Sequence, residues 1–208
     1  MKEYKDYGYT SGKSSCAHAY LTQSIEQLLN KECNKVILDV GCGNGWLASH
    51  LIKLGYDVYG IDASKSGIEQ ANKINHGHFF IQDIDAKKLP EELKNIPFKT
   101  IISTEVIEHL YDPKGYIAFC KNILQQNEGG NLIISTPYNG YLKNLVISIF
   151  NKWDIHLNPL WDGGHIKFWS RKTLSNVLSE NGFKVNSFSG VGRIPYIWKS
   201  MIIKAYVE

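Results

Sequence analysis

Residues 36–45, with the sequence VILDVGCGNG, are the stretch that decides the fold of this chain. The first five residues are apolar apart from one aspartate, which predicts a strand buried on both faces of a parallel sheet. Three alternating glycines follow, and the next residues, from Trp46 to Leu54, have the pattern of a helix that Gly55 ends. A strand, a glycine-rich turn and a helix in this order indicate the first crossover unit of an α/β sheet.

Strand-like and helix-like segments alternate along the rest of the chain. Strands are predicted at 57–61, 79–81, 100–103 and 131–135, and a final pair near 183–188 and 197–207. Helices are predicted to begin after Ser64, at Pro113 and after Ser170, where N-cap residues or a first-turn proline stand. The pattern predicts one α/β domain over residues 1–208, a Rossmann-like, doubly wound sheet of about seven strands with helices on both faces.

The composition describes a globular protein of 208 residues, 43% hydrophobic and 21% charged. The net charge is +3, and basic pairs such as Lys87-Lys88 are scattered, so we expect no nucleic-acid partner. Apolar runs fall short of the roughly 18 residues of a membrane span, and the N-terminus lacks a signal-peptide core. We therefore expect a cytoplasmic protein without integral membrane association, as a monomer or homodimer. The wide cysteine spacing favours reduced thiols over disulfides or zinc: Cys16, Cys33, Cys42 and Cys120.

The glycine-rich turn has the features of a ligand-binding turn. Glycines stand where a ligand approaches the main chain closely, and the N-terminus of the following helix offers unpaired N–H groups. Asp62 ends the next predicted strand, where a carboxylate can accept hydrogen bonds from ribose hydroxyls. Together the turn and Asp62 predict a site for an adenosine nucleoside.

The spacing of the glycines indicates which nucleoside. A dinucleotide fingerprint, G-x-G-x-x-G/A, needs a small third residue so that the helix packs closely and the pyrophosphate reaches its end. Trp46 occupies that third position, whereas the glycines present are Gly41, Gly43 and Gly45. The G-x-G-x-G spacing therefore favours a cofactor without a pyrophosphate over NAD or FAD.

At this point the sequence resembles the class I S-adenosylmethionine-dependent methyltransferases. The matching features are residues 39–45, Asp62, Asp83 and the stretch EVIEHL at 105–110. The resemblance implies S-adenosylmethionine as cofactor, S-adenosylhomocysteine as product, and a sheet order of 3-2-1-4-5-7-6 with strand 7 antiparallel. The cofactor-binding residues that it implies are Asp39, Gly41, Cys42, Gly43, Asn44, Gly45, Asp62, Ala63, Asp83, Ile84, Thr104 and Glu105.

The resemblance also implies roles for some of these residues. The glycine motif lines the amino-acid and ribose parts of the cofactor, and Asp62 holds the ribose. Asp83 contacts the adenine amino group, with Ile84 stacking beside it.

A closer resemblance is to the ubiquinone-biosynthesis type of O-methyltransferase. It extends from the glycine motif through 105–109 and the stretch GHIKFWS at 164–170 to WKSM at 198–201. It implies a small-molecule acceptor methylated on a hydroxyl oxygen. The segment 136–141, TPYNGY, differs from the quinone enzymes, which leaves the identity of the acceptor open.

A hydroxyl acceptor must lose a proton, and histidine is the natural base near neutral pH. The candidates are His109, His156 and His165, of which we assign catalysis to His109 and His165 together with Glu108. If a helix follows the fourth strand, Glu105, Glu108 and His109 share one face and can bind a divalent cation. Alternatively Glu105 borders the cofactor while Glu108 and His109 orient each other. We favour the second interpretation and assign no metal ligand.

Two segments are expected to cover the site. Residues 137–170 follow the fifth strand and form a substrate lid, and residues 1–33 form an N-terminal cap in which Tyr4, Tyr7 and Tyr9 can close the pocket. Apolar residues recur at helical spacing within the lid: Leu142, Leu145, Val146, Ile149, Phe150 and Trp153. We expect this stripe to pack on the core; the alternative is an apolar acceptor site or contact with a membrane surface.

Three other functions compete with small-molecule methylation. They are methylation of a nucleic acid or protein, a dinucleotide-dependent oxidoreductase, and a non-catalytic cofactor-binding module. Trp46 disfavours the oxidoreductase. The low net charge disfavours methylation of a nucleic acid. The sequence at 103–106 is STEV rather than the Asp/Asn-Pro-Pro-Tyr pattern of amino-group methylases, which disfavours that reaction.

Overall fold

The structure, a computed structural model, describes residues 6, 8–14, 18–29, 35–84, 87–161 and 163–208. Seven strands form one sheet: β1 Val36–Val40, β2 Asp57–Asp62, β3 Phe79–Ile81, β4 Thr100–Thr104, β5 Gly130–Pro137, β6 Lys184–Val191 and β7 Ser200–Val207. The α-helices are α1 His18–Leu28, α2 Trp46–Lys53, α3 Lys65–Ile74, α4 Pro113–Gln125, α5 Tyr141–Ile149, α6 Trp153–Leu157 and α7 Arg171–Glu180.

The sheet has the strand order β3-β2-β1-β4-β5-β7-β6, with β1 to β5 parallel and β7 antiparallel to both of its neighbours. This confirms the expected fold. The chain leaves β1 towards β2 on one side, and later returns to place β4 on the other. Ligands of open α/β sheets bind in the crevice beyond the carboxyl ends of the strands where the order reverses, here between β1 and β4.

Side chains at the predicted helix starts make the expected caps. Ser64 accepts a hydrogen bond from the Gly67 N–H at the start of α3. Asp112 accepts one from the Gly115 N–H before Pro113 opens α4. Ser170 and Thr173 form a reciprocal capping box at α7.

The central strands are buried on both faces, as their continuous apolar runs predict. Alternate residues of β1 enter opposite cores: Leu38 packs with α4 and α7, and Ile37 packs with α1 and α2. Cys42 and Cys120 are buried free thiols, whereas Cys16 and Cys33 lie outside the described residues.

Two local expectations were wrong. No α-helix covers residues 105–109: Glu105 has a positive φ of 56°, and only a short 3₁₀ turn, Ile107–His109, follows. The apolar stripe of α5 does not pack on the core, because Leu142, Leu145, Ile149 and Phe150 are all exposed. The helix instead buries its opposite face, which carries Lys143 and Ile147. Across the described residues, no helix has the length and apolarity needed to cross a bilayer.

Candidate active site

The glycine turn after β1 is closely packed from two sides. Gly41 and Gly43 have φ values of +81° and +55°, which side-chain-bearing residues rarely adopt. A side chain at Gly41 would collide with Val106, and a Cβ at Gly43 would lie 2.6 Å from the Tyr9 hydroxyl. Gly41 also donates its N–H to the Ile61 carbonyl at 2.8 Å. Both glycines are therefore required by their contacts as well as by their backbone conformation.

Asp62 ties this turn to the end of β2. Its Oδ2 accepts the Gly43 N–H and its Oδ1 accepts the Ser64 N–H, each at 2.7 Å. Burial raises the pKa of Asp62, although these two hydrogen bonds oppose the shift. A carboxylate has about four lone-pair sites, so each oxygen retains capacity for a ligand hydroxyl.

Asp39 is the second buried carboxyl group beside the turn, with 2% of its surface exposed. Within the described residues its Oδ1 has no hydrogen-bond partner. Burial, and then the charge of Asp62, raises the pKa of Asp39 to about 7. A buried acceptor without a partner is costly, so this atom marks a place where a polar ligand group fits.

The remaining predicted cofactor residues divide into two groups. Ala63, Thr104 and Ile84 are half-buried at or just beyond the strand ends, and Asp83 is exposed beyond β3. Cys42 and Asn44 direct their side chains elsewhere. The Cys42 sulfur packs against Gly60, and the Asn44 amide donates to the carbonyls of Ser11 and Lys13 at 2.8 and 2.9 Å.

The N-terminal segment lies across the same end of the sheet. Asp6 accepts hydrogen bonds from the Ser64 hydroxyl at 2.7 Å and from the Ser66 N–H at 2.9 Å. The Tyr9 N–H donates to the Ser66 hydroxyl at 2.8 Å. Tyr9 thus lies beside the glycine turn, whereas Tyr4 and Tyr7 lie outside the described residues.

Glu105 occupies the bend directly after β4. Ser135 donates to its Oε1 at 2.8 Å and Ser200 donates to its Oε2 at 3.1 Å. Burial raises the pKa of Glu105 to about 7, against these hydrogen bonds and the positive charge of Lys143. The hydrogen bonds of the Glu105 carboxyl group therefore link the end of β4 to β5 and to the start of β7. Glu105 does not share a helical face with Glu108 and His109.

Glu108 and two histidines form a compact cluster beside this bend. Oε1 of Glu108 lies 4.0 Å from Nε2 of His109 and 4.0 Å from Nε2 of His165. The other oxygen, Oε2, accepts the Thr136 hydroxyl at 3.0 Å, whereas Oε1 is buried without a hydrogen-bond partner in the part of the chain described. The two imidazole rings are 4.9 Å apart. All three residues predicted to act in catalysis are thus brought together.

Main-chain hydrogen bonds hold the insertion on this cluster. The Glu108 carbonyl accepts the N–H groups of Ile166 and Lys167 at 2.9 and 3.0 Å, which places His165 next to Glu108. His109 Nδ1 lies 2.8 Å from the Gly163 carbonyl. A carbonyl can only accept, so Nδ1 carries the hydrogen and Nε2 of the neutral ring has a free lone pair.

Burial keeps both imidazoles neutral near pH 7. It lowers the pKa of His109, against hydrogen bonds to Gly163 and Gly164. Burial, and then the neighbouring His109, His156 and Lys143, lower the pKa of His165 to about 4. For Glu108, burial and the adjacent Glu105 raise the pKa well above its usual range. The cluster therefore offers two neutral bases beside a carboxyl group that favours its protonated form.

Glu108, His109 and His165 also offer ligand atoms within 4.8 Å of one another, which is the spacing of a cation site. The cation ligands considered from the sequence were Glu105, Glu108 and His109, whereas in the structure His165 takes the place of Glu105.

Several residues of this region were missed by sequence reasoning. Thr136, Ser135 and Ser200 hold the carboxyl groups, and Lys143 carries a buried ammonium group. Serine and threonine at strand ends have no distinctive spacing. Lys143 is a charged residue between apolar ones, and nothing in this pattern indicates that the lysine is the buried residue.

A surface cavity of about 440 Å³ lies beyond the ends of β5 and β6 and is lined mainly by aromatic rings, including Tyr138, Phe188 and Trp198. None of the predicted site residues lines it. The glycine turn and the histidine cluster therefore define the candidate active site, and this cavity does not.

The sequence pattern of the family described as a methyltransferase domain matches residues 15–187. The chain belongs to the methyltransferase domain family. This confirms the expected class of S-adenosylmethionine-dependent methyltransferases.

This methyltransferase is 32% identical over 161 residues to the ubiquinone biosynthesis O-methyltransferase of Pelagibacter ubique (strain HTCC1062), covering 76% of this chain and 65% of that protein. It is 28% identical over 166 residues to the mitochondrial ubiquinone biosynthesis O-methyltransferase of Homo sapiens, covering 77% and 44%. The chain spans about half the length of the mammalian relatives that it matches.

A solved structure with the same fold is that of magnesium protoporphyrin IX methyltransferase (ChlM) from Synechocystis PCC 6803 with bound SAH. Its TM-score is 0.65 at 20% sequence identity, covering 90% of this chain and 82% of that chain. At this identity the likeness concerns the fold alone.

Proposed function

We propose that this methyltransferase transfers a methyl group from S-adenosylmethionine to a hydroxyl oxygen of a small molecule. The observation that carries the proposal is the position of Glu108 Oε1, 4.0 Å from Nε2 of both His109 and His165, at the strand ends next to the glycine turn. A buried pair of neutral imidazoles is suited to accepting a hydroxyl proton. The names of the O-methyltransferase relatives support the same reaction type.

The cofactor would lie against the glycine turn. Asp62 has free lone pairs for ribose hydroxyls, and the unpaired Oδ1 of Asp39 suits a polar group of the amino-acid part. Asp83 and Ile84 beyond β3 would border the adenine, and Thr104 and Glu105 the methyl-donating end. When bound, S-adenosylmethionine supplies a methyl group on a positively charged sulfur. Cys42 and Asn44 would contribute only their main-chain groups, because their side chains are engaged elsewhere.

The histidines would remove the acceptor proton. Nε2 of His109 is available because Nδ1 is held on the Gly163 carbonyl. His165 presents its own Nε2 to the same carboxyl oxygen of Glu108. Protonated Glu108 would lie against both rings and orient them. The one proton that leaves the acceptor hydroxyl would pass to Nε2 of an imidazole, which becomes an imidazolium, while Glu108 keeps its own proton. Positioning supplies most of the remaining acceleration.

The insertion 137–170 would act as the acceptor lid and the segment 1–33 as the cofactor cap. The lid is fastened at the site through Gly163, Ile166 and Lys167, and the cap through Tyr9 and Asn44. Both segments would therefore border the crevice at the strand ends. We place one domain over 1–208 on this basis.

The proposal is tested by incubating the protein with S-adenosylmethionine and panels of phenols, sugars and hydroxy acids, and measuring S-adenosylhomocysteine formation together with the methylated product. We expect O-methylation of at least one small molecule, abolished in the His109→Gln/His165→Gln double variant. Methylation of RNA or a protein substrate instead, or of a nitrogen atom, would refute the assignment. Binding of the cofactor without turnover of any substrate would favour a non-catalytic module.

A further inference from the structure

Lys143 is a buried lysine on the inner face of the insertion helix α5. Only 7% of its surface is exposed, whereas its neighbours Leu142 and Leu145 point outwards. Its Nζ donates to the Lys199 carbonyl at 3.3 Å, just before Ser200 begins β7. This places the ammonium group at the carboxyl edge of β5, next to the bend that holds Glu105.

The hydrogen-bonding capacity of this ammonium group is largely unused. An ammonium has three donors, and the Lys199 carbonyl takes one of them. Among the described residues Lys143 forms no ion pair with a carboxylate. Glu105 acts on it electrostatically, and each Glu105 oxygen accepts one serine hydroxyl, from Ser135 and from Ser200. A buried charge without a directly paired opposite charge is destabilising, so its retention in the interior calls for a partner.

The groups around Lys143 show which way it faces. Its positive charge contributes to lowering the pKa of both His156 and His165, and it opposes the raised pKa of Glu105. The main chain places the ammonium group beside the bend after β4, because Lys199, whose carbonyl accepts from Lys143, precedes Ser200, whose hydroxyl donates to Glu105. It contributes a positive potential to the same crevice that contains the cluster of Glu108, His109 and His165.

We propose that Lys143 binds an oxyanion carried by the methyl acceptor, so that the substrates of this enzyme are hydroxylated compounds bearing a carboxylate or a phosphate. This inference rests on the proposed function, because it takes the histidine cluster as the place of the acceptor hydroxyl. The oxyanion would take the two free donors of Lys143 and orient the hydroxyl towards the histidines. Charge-assisted hydrogen bonds from a buried ammonium are among the stronger single contacts that a ligand can make.

A purely structural role for Lys143 makes a different prediction. If its only function were to hold the Lys199 carbonyl, removing the charge of the side chain would leave any preference for anionic acceptors unchanged. Lys143→Gln keeps an N–H donor and removes the charge, whereas Lys143→Arg keeps the charge. Lys152 is an exposed lysine on the same insertion, so Lys152→Met is the matched control.

The experiment uses acceptor pairs that differ in the oxyanion: protocatechuate with protocatechualdehyde, glucuronate with glucose, and glycerol phosphate with glycerol. Binding to the S-adenosylhomocysteine-loaded protein is measured by calorimetry, and methyl transfer is measured alongside. We expect the wild type to bind the anionic member of at least one pair about 10- to 100-fold more tightly than the neutral member. A preference within either of the first two pairs indicates a carboxylate, and a preference within the glycerol pair indicates a phosphate ester.

We expect Lys143→Gln to lose this preference, and Lys143→Arg and Lys152→Met to keep it, with unchanged S-adenosylhomocysteine affinity in all three. A preference that survives in Lys143→Gln, or a wild type that binds no anionic member more tightly than its partner, overturns the proposal. Methylation of neutral hydroxyl acceptors without any anion preference would reject this inference and leave the proposed function standing. Binding of an anion through Lys143 without methyl transfer to any hydroxyl would reject the proposed function instead.

Discussion

The Oε1 atom of Glu108 and Nε2 of His165 lie 4.0 Å apart, although the two residues belong to different segments of the chain. Glu108 stands in the turn after β4, and His165 ends the insertion that follows β5. The Glu108 carbonyl accepts the N–H groups of Ile166 and Lys167, the two residues after His165. Glu108 therefore positions His165 through its main chain and faces the imidazole with its side chain. This pairing connects the insertion to the turn after β4.

Replacing either histidine is expected to lower turnover without affecting the cofactor. Loss of a positioned general base typically reduces kcat by about 10²- to 10⁴-fold. We expect such a reduction in the His109→Gln/His165→Gln double variant and smaller reductions in the single variants, with unaltered S-adenosylhomocysteine affinity by calorimetry. His76→Gln, at an exposed position between α3 and β3, is the control. A double variant with the wild-type rate would remove both residues from the mechanism.

Asp62→Ala is expected to weaken binding of S-adenosylhomocysteine by roughly 1–3 kcal/mol. The variant loses the proposed ribose contact and both main-chain hydrogen bonds that shape the glycine turn. Asp57→Ala removes an exposed carboxylate from the first position of the same strand and should leave the affinity unchanged. Calorimetric titration compares the two. Equal affinities for Asp62→Ala and the wild type would mean that Asp62 does not contact the cofactor.

Gly41→Ala is expected to destabilise the protein and to impair cofactor binding. An alanine there must adopt a φ of +81° and also displaces Val106. Gly55 has a similar φ of +90° with open space around it, so Gly55→Ala isolates the backbone strain, of about 1–2 kcal/mol. Urea unfolding should show a larger loss of stability for Gly41→Ala than for Gly55→Ala. Adding Val106→Ala should recover part of the difference; no recovery would argue against the collision as the cause.

The acidic limb of the pH–rate profile is expected to lie below the range of an ordinary histidine. A base acts while it is unprotonated, so a lowered pKa moves the loss of activity to lower pH. The pKa of His109 is below its usual value of 6.5 and that of His165 is about 4. The acidic limb of kcat/KM for an accepted substrate should therefore be centred below pH 6.5. A limb centred at 6.5 or above would contradict neutral, buried imidazoles.

Chelation is expected to leave turnover unchanged. A bound cation would take up the Nε2 lone pairs that we assign to proton removal, so an enzyme that uses these histidines as bases works without a metal. The measurement is S-adenosylhomocysteine formation before and after dialysis against EDTA, with and without added Mg²⁺ or Zn²⁺. If activity were lost on chelation and restored by metal, a cation at Glu108, His109 and His165 would replace the histidine base in the mechanism.

The local structure around the glycine turn was predictable because its signals are close together in the sequence. The strand, the glycine turn and the first residues of α2 are contiguous, and their geometry follows from burial, positive φ values and helix capping within about twenty residues. Asp62 was found in the same way, as the residue that ends the adjacent strand. Asn44 shows the limit of this reasoning, because its amide is taken up by Ser11 and Lys13 from a distant segment.

Local sequence signals therefore predicted the sheet, its crossover order through a recognisable family pattern, and the turn that would hold the nucleoside. The surroundings of the proposed acceptor site depend on long-range contacts instead. His165 joins Glu108 through main-chain hydrogen bonds between separate segments, and α5 turns Lys143 inwards while its apolar stripe stays exposed. Periodicity reports which residues share a face, but the face that is buried depends on which neighbouring elements the chain brings against it, and those contacts are long-range.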